Sequence, residues 1–362
     1  MNPTITQLDV SAFTIPTDFP EADGTLRWDS TTVIIVEAHA GGETGLGFTY
    51  GDLAAARLID RQFSPLILGR DAMATNRNWL AMLQAVRNLG RPGIASHAIA
   101  AVDIALWDLK ARLLRLPLVH LLGAARAGIP VYGSGGFTSY SLEQLQIQLS
   151  GWVSRGIQKV KIKIGSNPDE DIARVRAARA AIGTNAELFV DANGAYTRKQ
   201  AVRFAEQFAA YGVTWFEEPV SSDDLEGLRF MRDRAPEGMD IAAGEYGYDS
   251  TYFRRMLEAG AVDVLQADAT RAAGITGFLE AAALTDAFHV PISAHTAPSI
   301  HAHACCAVPS ARHVEYFHDH VRIEQMLFDG VLEPLNGVLY PDPSRPGLGL
   351  EIKRLDAEKY AA

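Results

Sequence analysis

From residue 129 onward the chain repeats one pattern, a short apolar run followed by a stretch of helical length. The runs are IPVYGSG (129–135), KVKIKIG (159–165), ELFVDAN (187–193), VTWFEEP (213–219), MDIAAGE (239–245), VDVLQAD (262–268), VPISAH (290–295) and HVEYF (313–317). Eight βα units are the number that closes a parallel barrel. An open doubly wound sheet would usually have fewer strands and a glycine-rich phosphate turn after the first. The GSGG at 133–136 lacks that spacing.

Barrel chemistry sits at the C-terminal ends of the strands, so what each run ends in matters. The second ends in Lys161 and Lys163, the third in Asp191 and Asn193, and the fourth in Glu217 and Glu218. The next three end in Glu245, Asp268 and His295, and the last carries Glu315. From Lys163 the intervals are 28, 26, 28, 23, 27 and 20 residues, each about one βα unit. One polar strand end means little, because strands meet loops. Seven acid, base or ligand residues in successive units should ring one mouth.

Asp191, Glu217 and Glu245 are three carboxylates with no cation beside them in sequence. Clustered acids repel and raise each other's pKa, and a bound divalent ion removes that conflict. All-oxygen ligation suits Mg²⁺ before Mn²⁺. Lys161 and Lys163 are two apart on a strand, so both should enter the barrel while Val160, Ile162 and Ile164 face the helices. Near a metal a lysine pKa should fall, making it usable as a base. Asp268 and His295, on neighbouring strand ends, can form a dyad in which the carboxylate fixes the imidazole tautomer. His301 and His303 form an HxH pair where a helix should begin, a weak zinc signal.

Before the barrel, TTVIIVEAHA (31–40) and GGETGLGFTY (41–50) read as strands joined by a turn, and FTIPTDFPEADGTLRWDS (13–30) as an irregular polar loop. In SHAIAAVDIALWDLKARLLR (96–115), Ile99, Val102, Leu106, Leu109 and Leu113 step by three and four, one face of a helix. A small α+β domain over 1–125, a barrel over 126–330 and a tail over 331–362 returning to the first domain are therefore expected.

Composition narrows the partners. Apolar residues are 48% and charged residues 21%, in the ordinary globular range. A net charge of −10 without basic runs argues against nucleic acid or an anionic membrane. No apolar run approaches the roughly 18 residues that span a bilayer. The only cysteines, Cys305 and Cys306, are adjacent and cannot form a disulfide framework, and no basic-then-apolar leader opens the chain. A cytoplasmic protein is the expectation.

Taken together, AVDIALWDLKAR (101–112), KIK (161–163), DANGAY (191–196), WFEEP (215–219), AGE (243–245), QADATRAAG (266–274) and SAH (293–295) resemble the mandelate racemase subgroup of the enolase superfamily, over nearly the whole chain. The resemblance implies an α/β protein, a modified TIM-type (β/α)7β barrel under an α+β capping domain, and a homo-oligomer. It implies Mg²⁺ on Asp191, Glu217 and Glu245, and Lys163 as base on one face of a carboxylate substrate. His295, paired with Asp268, would act on the other face. Lys161 and Glu315 would bind the substrate carboxylate, Glu315 in its protonated form, with Asn193 a further contact. The shared chemistry is removal of the proton next to a carboxylate, giving an enediolate. The polar loop, with Asp18, Glu21, Asp23, Arg27 and Asp29, suits a polyhydroxylated acid, hence an acid-sugar dehydratase. An epimerase, racemase or lactone cycloisomerase is the second reading, and a non-catalytic barrel that only binds is the third. Arg27, the loop's one cation, is the candidate contact for the far end of the substrate; pairing with Asp23 or Asp29 is its alternative.

Overall fold

The computed structural model describes residues 2–362. Three antiparallel strands open the chain: β1 (Gln7–Ala22), β2 (Arg27–Ala40) and β3 (Glu43–Tyr50), in the order β1-β2-β3. Eight parallel strands follow: β4 (Ile129–Gly135), β5 (Lys159–Lys163), β6 (Glu187–Asp191), β7 (Val213–Glu217), β8 (Asp240–Ala243), β9 (Val264–Ala267), β10 (Ile292–Ala294) and β11 (Ala311–Phe317). They hydrogen-bond in chain order, and β11 pairs with β4 to close the barrel. A helix follows each strand, including the last, where His318–Leu327 runs on directly from β11.

Side-chain alternation fills the barrel. Val160, Ile162 and Ile164 are buried in the layer between strands and helices. Tyr132, Phe189 and Trp215 form a separate buried cluster. Lys161 Nζ lies 5.3 Å from the Tyr132 ring centroid, so these rings are the floor under the polar strand ends.

The helix α1 (Ile94–Leu113) joins the two parts. One apolar face was expected, yet 14 of its 20 residues are buried, because it lies between the capping sheet and the barrel. Gly47 on β3 meets it at close range: a Cβ there would stand 2.2 Å from the Ala101 carbonyl oxygen. The two acids of the 101–112 motif are fasteners. Asp103 accepts from the backbone N–H and hydroxyl of Thr276, 2.9 and 2.7 Å, in the helix after β9. Asp108 accepts from Leu46 N (2.7 Å) on the capping sheet, Leu348 N (2.5 Å) in the tail and Arg112 Nε (2.7 Å).

The segment 13–30 is not an irregular loop. It forms the arms of the β1–β2 hairpin, with a register shift between Pro16 and Glu21 and its turn at residues 23–26. Two prolines and many polar residues hide the strands, but ladder bonds to β2 hold them. The hairpin tip rests on the barrel mouth. Thr138, after β4, donates from N to Ala22 O and from Oγ1 to Asp23 O, both 2.8 Å. A Cβ on Gly24 would stand 2.2 Å from the carbonyl oxygen of Ala192, beside Asp191. On the far side Thr31 Oγ1 donates to Asp319 (2.5 Å), and His318 Nε2 lies 2.9 Å from Asp18 Oδ2.

The tail makes contact at both parts. Val338–Leu339 pairs antiparallel with β4, while Arg354 binds Glu37 of β2 (2.6 Å) and Ala362 N reaches Ala12 O (3.0 Å). Among the described residues no helix is long and apolar enough to cross a membrane.

Candidate active site

Parallel register brings the strand-end residues level. Lys163 pairs with Asp191 across β5–β6, and Asp191 with Glu217 across β6–β7. Glu245, Asp268 and His295 follow within two residues of the ends of β8, β9 and β10, and Glu315 points inward from β11. All are buried. One ligand oxygen each from Asp191, Glu217 and Glu245 lies within 4.8 Å of the others.

The lysines sit among these acids. Lys161 Nζ is 2.5 Å from Glu217 Oε1, 2.8 Å from Glu315 Oε1 and 3.4 Å from Asp191 Oδ2; Lys163 Nζ is 2.5 Å from Asp191 Oδ2. Asp191 and Glu217 thus do have cations beside them, supplied by a strand 28 residues away or more, and Glu245 has Arg271 at 3.4 Å. Burial alone would lower both lysine pKa values. The charges of Glu217 and Glu315 push Lys161 well above its ordinary value, and Asp191 raises Lys163. The protein's own charges therefore hold both lysines protonated. Burial raises Glu315, but Lys161 and His295 outweigh that and bring it to about 2.

The acids differ among themselves. Burial raises Asp191, but Lys163 and Lys161 hold it below the usual carboxylate range. Glu245, opposed by burial, is lowered to about 2 by His295 and Arg271. Burial and the Asp191 charge drive Glu217 well up, although Trp215 Nε1 donates to it at 2.9 Å. Repulsion within the trio is thus only partly relieved by protein groups. Glu245 Oε2 is buried without a hydrogen-bonding partner, and so is Asn193 Oδ1. Asn193 and Glu218 both take positive φ, +45° and +40°, which side-chain-bearing residues adopt at some cost and often at functional sites.

His295 Nδ1 lies 2.8 Å from Asp268 Oδ2, and its Nε2 is 3.2 Å from Glu245 Oε2 and 3.7 Å from Glu315 Oε2. The dyad geometry is present. His301 and His303 turn elsewhere. His301 Nε2 accepts from Ala269 N at 2.8 Å, so its Nδ1 carries the proton toward Thr296 O; His303 Nδ1 accepts from Val119 N at 3.2 Å. They share no ligand position.

Above these groups lies a cavity of about 330 Å³, lined at the barrel end by Lys163, Asn193, Glu245, Arg271 and His295. Arg271, which sequence reading did not single out, donates to the Glu245 backbone carbonyl at 3.1 Å and lies 3.7 Å from Asp268. Its only signal was its place three residues after Asp268. Of the five charged hairpin residues, Asp23 alone lines the cavity. Glu21 is buried behind it, accepting from Trp28 Nε1 at 2.8 Å. Arg27 is exposed and outside the cavity, which corrects its expected role. At the start of β2, Trp28 faces in, so its strand neighbours Arg27 and Asp29 face out. Among the described residues Arg27 has no ion pair with Asp23 or Asp29 either.

A buried carboxylate trio, two inward lysines and an Asp–His dyad at the mouth of a capped eight-stranded barrel define a class of acid–base barrel sites. Comparison with known proteins gives the family. Residues 12–123 match the mandelate racemase / muconate lactonizing enzyme N-terminal domain, and residues 144–357 match the enolase C-terminal domain-like family. The chain belongs to the mandelate racemase/muconate lactonizing enzyme family of the enolase superfamily. It is 32% identical to the 3,6-anhydro-alpha-L-galactonate cycloisomerase of Streptomyces coelicolor, covering 96% of each chain. It superposes with TM-score 0.98 and 56% identity on a mandelate racemase/muconate lactonizing enzyme-like protein from Rubrobacter xylanophilus, covering 99% of this chain and 100% of that one. With TM-score 0.91 and 29% identity it matches the L-talarate/galactarate dehydratase of Salmonella typhimurium, whose crystal structure holds Mg and L-lyxarohydroxamate, covering 100% of this chain and 94% of that one.

Proposed function

We propose that the protein removes the proton next to the carboxylate of an acid sugar, most simply in a dehydration that yields a 2-keto-3-deoxy acid. The observation that carries this is the placement of Lys163 and His295 on one cavity that Glu245 of the carboxylate trio also lines. The two bases stand on β5 and just after β10, five strands apart one way round the barrel and three the other. They therefore approach a substrate from different sides.

Asp191, Glu217 and Glu245 fit a hard divalent cation: all are buried oxygen donors, burial and the Asp191 charge drive Glu217 up, and Glu245 Oε2 has no hydrogen-bonding partner. Mg²⁺, with Mn²⁺ second, would supply charge to stabilise the two negative oxygens that form on the substrate carboxylate. Lys161 adds an ammonium group for the same oxygens. Glu315, 2.8 Å from Lys161, holds that ammonium charged and in place. Lys163 takes the proton from the carbon next to the carboxylate. Compensating the Asp191 charge removes the interaction that keeps Lys163 protonated. His295, oriented by Asp268, gives a proton from Nε2 to the departing β-hydroxyl, which leaves as water, and the enol relaxes to the keto acid. If His295 instead returns a proton to carbon, the outcome is epimerisation.

The identity to a cycloisomerase over nearly the full length supports a second reading, lactone cycloisomerisation on the same groups. The test is a panel of acid sugars and lactones with Mg²⁺, followed for keto-acid formation and for exchange of the α-proton with solvent deuterium. Lys163→Ala and His295→Asn should each abolish exchange for one configuration only, by about 10²–10⁴-fold. If either variant kept both exchanges, the two-sided reading would be wrong.

A further inference from the structure

The cap side of the cavity carries hydroxyls and rings but no fixed positive charge. Its polar lining includes Asp23, Ser30, Thr31, Thr32, Tyr50 and His320. Among the described residues no lysine or arginine of the capping sheet lines it, and Arg27 faces outward. The basic groups at the barrel end are engaged: Lys163 with Asp191, His295 with Asp268, and Arg271 with Glu245 and Asp268. His320 adds no charge, because burial, with His295 and Arg271, pushes its pKa down to about 3. Asp23 contributes a carboxylate; of the acids behind the wall, Asp319 under Thr31 is paired with Arg322 at 2.8 Å, and Glu21 under Trp28 is raised by burial to about 9.

Two groups on this wall lack partners. The Tyr50 hydroxyl and His320 Nδ1 are buried and unbonded, and their rings stack with centroids 3.5 Å apart at 14°. A phenol hydroxyl and a neutral imidazole between them offer a donor and an acceptor, which a sugar hydroxyl can satisfy. A buried polar atom left unpaired is costly, so a ligand group that pairs it is favoured.

We propose, resting on the acid-sugar reading above, that the cavity selects aldonic acids, with one carboxylate and an uncharged hydroxylated far end, over aldaric acids with a carboxylate at both ends. Tyr50 and His320 hold a far hydroxyl. A second carboxylate on this wall would be desolvated without a cation and would face Asp23, and like charges placed together suppress binding strongly.

The experiment compares gluconate with glucarate and galactonate with galactarate in Mg²⁺, by kcat/KM and by calorimetric affinity. The aldonate of the better pair should lead its aldarate by about 10²-fold. Asp23→Asn, which keeps the Oδ1 that accepts from Thr25 N and Leu26 N in the turn, should narrow that gap by improving the aldarate. Tyr50→Phe, which removes only an unpartnered oxygen, should lower kcat/KM for the aldonate by about five- to tenfold. Equal or better use of the aldarate would overturn the proposal, and an unchanged Tyr50→Phe enzyme would remove Tyr50 from it. If no acid sugar reacts, the reaction assigned above fails. The calorimetric preference then decides the charge selection by itself: tighter aldonate binding upholds it, and equal or tighter aldarate binding overturns it.

Discussion

His295 is fixed by Asp268 through Nδ1 at 2.8 Å, which leaves Nε2 turned toward Glu245 and Glu315 inside the site. A carboxylate can only accept, so Nδ1 carries a proton and Nε2 is the nitrogen free to exchange one. Asp268 is itself held, since its Oδ1 accepts from Thr270 N and Oγ1, both 2.7 Å.

The dyad makes a sharp prediction. In Asp268→Asn the side-chain oxygen can keep the Thr270 bonds, and the new amide then donates to Nδ1. The proton of the neutral ring moves to Nε2, and the imidazolium that gives a proton to the leaving hydroxyl loses the carboxylate that stabilises it. We expect kcat to fall by about 10²–10⁴-fold with fold and metal affinity kept. Nitrogen NMR of the His295 ring should report the change of tautomer. A variant with near-normal kcat would mean that Asp268 does not set the imidazole.

Removing metal should act on stability as well as activity. Chelator should abolish turnover, and Mg²⁺ should restore it and raise Tm. At a hundredfold excess over Kd the gain is about 2.7 kcal/mol. Glu217→Gln has the same shape, so it should fold, yet lose both turnover and most of the Mg²⁺-dependent rise in Tm. Full activity in chelator, or an equal Mg²⁺ response in Glu217→Gln, would remove Glu217 from the ligand set.

Much of this site was legible because two periodicities carry it. The βα interval spaces Lys163, Asp191, Glu217, Glu245, Asp268 and His295, and strand alternation turns Lys161 and Lys163 inward while Val160 and Ile162 face the helices. The cap side has no such period. Its wall comes from Trp28 on one hairpin arm, Tyr50 at the end of β3 and His320 beyond β11. Arg27 was misplaced because its direction depends on hairpin strands that Pro16, Pro20 and Gly24 conceal. The 2.8 Å approach of Glu315 to Lys161 is likewise not revealed by spacing along the chain.

The hairpin tip supplies a test of how closely the cap must sit. A Cβ on Gly24 would lie 2.2 Å from Ala192 O and 2.8 Å from Ile164 O, both backbone atoms that cannot swing away. Gly24→Ala should therefore lift the tip from the strand ends that carry Lys163 and Asp191. Misplacement of a covering element by about 1 Å can cost about 10²-fold, and we expect that scale of loss in kcat/KM with Mg²⁺ affinity unchanged. Normal kcat/KM would show that the tip moves without disturbing the substrate.

Glu324 gives a prediction of opposite sign, in which removing a charge stabilises. It is fully buried in the helix after β11, where Ser299 Oγ donates to Oε2 at 2.5 Å and Oε1 has no partner. Burial, only partly opposed by the Ser299 hydrogen bonds, raises its pKa from 4.5 to about 8. Between these values the unfolded chain has lost the proton and the native protein keeps it. Stability from this group is therefore greatest below about pH 4.5, falls as pH rises to about 8, and is level beyond. The loss is on the order of a few kcal/mol over the whole window. Glutamine keeps an acceptor for Ser299 and does not titrate. Glu324→Gln should thus gain stability relative to the parent, and gain more at pH 8 than at pH 5. Asp103, raised by burial to about 7, titrates alike in both proteins, so the difference between them isolates Glu324. Denaturant midpoints at the two pH values would measure it. A difference that does not change with pH would show that Glu324 is already ionised in the native protein at pH 5.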